Sequence, residues 1–180
     1  MDASEAEASS ARRWAGPRKW AITLGATAVS TYALDALATA VGVLLAASHL
    51  LRGLDHELLL VLLAGTYVFW GAGLRVNLQA NWKLLEQTGT STNVFSKAAY
   101  DLAKLRPASR RMQRIAAAAG YLGTELAKEA PYYAGAFGAV FLSDSVSSAD
   151  ALIFLAGTNL GAAAYEYGLG LLTRAFLKRR

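Results

Sequence analysis

The chain has 180 residues, 54% of them apolar and 17% charged, with no cysteine and a net charge of +5. That is the length of one domain, and a mean hydropathy of +0.29 separates it from disordered chains, which lack the apolar surface to offset their conformational entropy. With no thiol, disulfides are excluded, and with only His49 and His56 as imidazoles, zinc, haem and iron–sulfur centres have almost no ligands, so neither metal nor cofactor is expected.

Residues 1–11, with Asp2, Glu5 and Glu7 among Ser and Ala, read as a disordered cytoplasmic tail. Residues 12–180 then read as one transmembrane domain, because four long stretches are almost free of charge. Residues 20–48 contain only Asp35, 58–74 contain none, 115–143 contain Glu125, Lys128 and Glu129, and 151–173 contain only Glu166. Each approaches or exceeds the ~20 residues that cross a hydrocarbon core. The predicted architecture is all-α: an integral membrane four-helix bundle with spans at about 20–48, 58–77, 115–143 and 151–173 and a cytoplasmic loop over 78–114. A soluble bundle would show polar residues every turn on one face. Leu58 to Leu63 followed by Tyr67 to Trp70 has no such face. The first span is too long for a cleaved signal sequence and holds Asp35 where an h-region is apolar.

Basic residues orient the spans. Sixteen of the eighteen Lys and Arg precede the first span, lie between the charge-free 58–74 stretch and the third span, or follow the fourth. The positive-inside rule places both termini and the middle loop in the cytoplasm of a cell bounded by this plasma or inner membrane. The positive charge reflects topology and anionic headgroups, and no nucleic-acid partner is expected.

Leu63-Ala64-Gly65-Thr66 recurs 92 residues later as Leu155-Ala156-Gly157-Thr158, which predicts two tandem helical hairpins. Between them the second helix runs on to Gln87 and stops at Gly89. Thr92 or Asn93 then caps an amphipathic helix over 94–105, ending ahead of Pro107, with Val94, Ala98, Leu102 and Leu105 on one face. That face suits either a cytoplasmic lipid leaflet or a soluble or membrane protein partner.

Intramembrane ionisable groups are costly and mark function by default. At about 1.5 Å per residue from the outer helix ends, Asp35, Lys128 and Glu129 lie about 20 Å deep, Glu166 about 23 Å, and Arg75 and Glu125 about 26 Å. Six groups from four helices thus form one layer in the inner third of the bilayer, with four acids against two bases. Glu125 and Glu129 flank Lys128 at pairing distance along a helix, and Asp35 is expected to pair with Arg75, leaving Glu166 unmatched. Asn159 extends the polar track outward, and Asn77 and Asn81 extend it inward. Pro131 is expected to kink its helix and free the Ala127 carbonyl beside the cluster. Gly157 and Gly161 form a small-residue stripe for helix packing, within the bundle or between copies in a homo-oligomer.

No catalytic residue is assigned. The imidazoles lie on the outer side and the buried acids on the inner side, so no triad assembles, and there is no phosphate-binding glycine loop. The functional expectation is a small channel or carrier for a cation or small solute, using Asp35, Glu125, Lys128, Glu129, Glu166, Arg75 and Asn159. The alternative is a non-catalytic membrane scaffold or assembly factor that presents helix 94–105 to a partner.

Overall fold

The computed structural model describes residues 16–47, 51–105 and 108–179. The tail expected over 1–11 lies outside them, as do Arg12, Arg13, His49, Arg106, Pro107 and Arg180. The described residues form helices without strands: α1 (Gly16–Ala47), α2 (His56–Thr88), α3 (Val94–Leu105), α4 (Arg110–Leu142) and α5 (Ser148–Lys178).

Local chemistry sets the ends. The Asp55 carboxylate accepts from the Leu58 N–H at 2.7 Å to start α2, and Gly89, at φ 69°, takes the left-handed conformation that ends it. Asn93 caps α3 by accepting from the Ser96 N–H, and Ser109 caps α4. Ser147 and Asp150 form a reciprocal capping box on α5. Within α1, Ala28–Asp35 is π-helical. The buried polar residues there, Thr23, Thr27, Thr31, Asp35 and Thr39, recur every four positions. Such a stripe drifts around a helix of 3.6 residues per turn, and a stretch of wider turns returns it to the same face.

α1 and α2 are long and apolar enough to cross a membrane. α4 and α5 match them in length, at 33 and 31 residues. Exposure runs opposite to that of a water-soluble core. Glu166 and Asn77 are completely buried, whereas Val68 is 75% and Leu44 70% exposed.

The helices do not form two self-contained hairpins. α5 is the hub: α1, α2 and α4 all pack on it, and α1 beyond residue 27 scarcely touches α2. Glycine explains the choice. A side chain on Gly157 would meet the Val43 Cα at 2.7 Å, and one on Gly161 would meet the Thr39 Cα at 2.5 Å, so α1 and α5 approach backbone to backbone. The Gly157/Gly161 stripe is thereby used inside this bundle. α2 and α5 run parallel, with Thr66 bonded to Asn159, 93 residues on, and Gly170 against Asn77. That stagger nearly equals the 92-residue offset of the sequence match. The central pair is thus related as a repeat would be, while α1 and α4 surround it unequally.

Pro131 lies inside α4, which is helical throughout; Pro131 and Ala127 sit a turn apart on its exposed side, while Glu125 and Glu129 are buried. One sequence expectation is corrected here. Arg75 is exposed on the outer surface of α2, and the cation that reaches Asp35 is Lys128.

Candidate functional site

The hub helix brings its polar face to meet those of its neighbours, and their side chains form three tiers. In the middle tier, the Lys128 ammonium donates to Asp35 Oδ2 at 2.5 Å and to Glu125 Oε2 at 2.7 Å, joining α1 to α4. It also lies 5.2 Å from the centre of the Tyr165 ring on α5. Glu166 faces them without a base. Its carboxylate accepts from Asn77 Nδ2 at 2.7 Å and from the Tyr121 hydroxyl at 3.3 Å, and Asn77 Nδ2 also donates to that hydroxyl. Glu129, one turn after Glu125 on α4, is buried with no salt bridge to Lys128. Of the buried side-chain oxygens, Glu125 Oε1, Glu129 Oε2 and Asn77 Oδ1 have no hydrogen-bond partner.

Asp35, Glu125, Lys128, Glu129 and Glu166 are therefore brought together, and Arg75 is not. With Arg75 outside, four acids face one base at this level. The three-way pairing expected along α4 is half made: Glu125 holds Lys128, while Asp35 from α1 takes the place expected for Glu129.

Toward the α4–α5 connection from this tier, the Tyr133 hydroxyl donates to Asn159 Oδ1 at 2.8 Å, and Asn159 Nδ2 donates to Thr66 Oγ1. On the opposite side of it, the connection Thr90–Asn93 turns back into the bundle and is buried. Asn81 Oδ1 accepts from the Ser91 hydroxyl at 2.7 Å and from the Thr92 N–H at 3.2 Å, and Asn81 Nδ2 donates to the Ser96 hydroxyl. Thr23 Oγ1 accepts from the Ser91 N–H, and the Ser30 hydroxyl donates to the Thr92 carbonyl. Non-helical backbone inside a bundle must be satisfied in this way. From Thr66 to Asn81 the column is about 22 Å tall at the helical rise.

Sequence reasoning missed Tyr121, Tyr133, Thr23 and the Thr90–Asn93 plug. The first was within reach, because Tyr121, Glu125 and Glu129 lie at successive four-residue steps on one face. So was the every-fourth-residue Thr/Asp series of α1. The plug had no such signal, since a Thr/Ser/Asn run reads as an exposed loop until the fold buries it.

No family model, curated protein or solved structure matches this chain.

Proposed function

We propose that the chain is an integral membrane four-helix bundle, N-in and C-in, that carries a cation through its polar column, with the buried carboxylates as relay. The observation that carries this reading is the buried level of four acids against one lysine, with acid oxygens left unpartnered. Charge of one sign in excess, held away from water, favours a positive occupant. Among the described residues no three acidic or imidazole side chains lie close enough to cage a metal ion. The proton, which needs one carboxylate at a time, fits this arrangement best.

Membrane insertion is supported by the two apolar helices and by the apolar exterior around a polar centre. The modest hydropathy of α5 accords with its place at the hub, where its polar residues meet other helices and not lipid. Proton flux into proteoliposomes, followed with an enclosed pH dye, tests the proposal. Glu166→Gln keeps the hydrogen bonds of Asn77 and Tyr121 but cannot ionise, and flux falls at least about tenfold if the carboxylate relays. Equal rates for parent and variant would remove Glu166 from the path.

One observation favours the scaffold as a second reading: Phe95, Ala98, Leu102 and Leu105 leave an apolar face of α3 exposed. Lys97 cannot probe that face, because it is 4% exposed, paired with Asp101 and stacked over Trp20. Leu102→Glu and Leu105→Glu, read by co-purification, do. A homo-oligomer would need a surface other than the Gly157/Gly161 stripe, and the outward Gly123, Gly135 and Gly138 of α4 offer one.

A further inference from the structure

α2 and α4 each pack on α5 but touch one another little, which leaves a groove of about 370 Å³ between them toward the cytoplasmic side. Leu74, Leu78 and Trp82 of α2 and Ala117 of α4 give it an apolar wall, and Arg75 and Arg114 bracket it. Both arginines are exposed, and neither forms an ion pair among the described residues. Glu86, within electrostatic reach of Arg114, is already held by two nitrogens of Arg110. Gln79, also on the lining, turns its carbonyl oxygen to Arg174. Two guanidiniums therefore face the groove with no anion supplied by the protein.

Counted from Leu58, Arg75 lies about 26 Å along α2, near the far edge of a hydrocarbon core about 30 Å thick. Its side chain reaches headgroup level, and Trp82 sits where indoles favour the interface. We propose that this groove is a binding site for one anionic phospholipid, its phosphate held between Arg75 and Arg114 and its acyl chain laid along Leu74 and Leu78. Guanidinium forks match phosphate oxygens in pairs, and basic pockets between helices on the cytoplasmic side select anionic headgroups. The inference rests on the membrane reading but not on transport, and it gives Arg75 a partner outside the column.

Native mass spectrometry of the full chain, solubilised in detergent with equal phosphatidylglycerol and phosphatidylcholine, tests it. The expected result is retention of phosphatidylglycerol over phosphatidylcholine by roughly thirtyfold for two arginines near the surface. Arg75→Gln with Arg114→Gln abolishes the preference, Arg75→Lys with Arg114→Lys keeps part of it, and Arg179→Gln leaves it intact. If the glutamine pair fails to fold, the lysine pair still tests the site, since full parental preference there would contradict bidentate recognition. A parent without preference, or a glutamine pair that retains it, overturns the site. Release of the lipid by millimolar inorganic phosphate would identify a free anion as the occupant and overturn the lipid. Recovery of the chain in water without detergent would overturn the membrane reading and the groove together, whereas lost selectivity in a detergent-requiring protein overturns the groove alone.

Discussion

Lys128 sits where two buried carboxylates from different helices need a counter-charge, so its loss leaves both uncompensated. Breaking a buried pair by deleting one partner costs about 3–5 kcal/mol, far more than the pair contributes net. Lys128→Met is expected to lower thermal stability in detergent by about that amount, and Lys128→Arg to recover much of it. A melting temperature unchanged in Lys128→Met would show that the Asp35 and Glu125 contacts carry little energy. Glu166→Gln should behave oppositely, altering stability by no more than about 1 kcal/mol, because an amide oxygen in the Oε2 position still accepts from Asn77 and Tyr121. Most of these side chains were legible in the sequence, since a charged residue in an apolar run announces itself by its cost. Their pairing was not. Arg75 and Asp35 sit at similar depths on consecutive helices, but the α1 segment that carries Asp35 packs on α5 and not on α2, and Arg75 faces outward from α2.

Among the elements, the approach of α1 to α5 depends on having no side chain at Gly157 and Gly161. Gly161→Val is expected to force the two backbones apart and destabilise the bundle by about 3 kcal/mol or more, beyond the 1–3 kcal/mol typical of overpacking where only side chains must move. Size-exclusion and thermal melts in detergent would read it, and a parental profile would mean that the helices adapt. Between the end of α2 and the start of α4, the hydrogen bond from Arg110 holds the Glu86 carboxyl below its ordinary value of 4.5. A carboxyl depressed by folding stabilises the folded state above its unfolded value, and that contribution disappears as pH falls through the folded one. The melting difference between parent and Glu86→Gln should therefore be constant at neutral pH and shrink below about pH 4.5. The end of α2 and the start of α3 were readable, because Gly89 and Asn93 act through their immediate neighbours. The hub was not, because the two-span hairpin that a short connection predicts is a rule about proximity in sequence. Three neighbours competing for one glycine-lined helix obey packing instead.

For the whole molecule, insertion with both termini inside predicts opposite labelling of two exposed positions in a chain with no native thiol. Asp144→Cys, on the connection between α4 and α5, should react with a membrane-impermeant maleimide in intact cells, and Gln87→Cys, near the end of α2, only after lysis. The reverse pattern would invert the topology. The asymmetry of basic residues is what this orientation rests on, whereas the unequal surroundings of α1 and α4 were hidden behind the matched tetrapeptides.

Where the molecule tolerates being split follows from the buried turn after Gly89. Nearly all partners of Ser91, Thr92 and Asn93 belong to α1, α2 and α3, with Thr124 alone reaching them from α4. Two polypeptides divided between α3 and α4 would keep that turn folded within the amino-terminal fragment and reassemble when expressed together. Fragments divided at Thr90 would each expose half of a hydrogen-bonded knot and fail to complement.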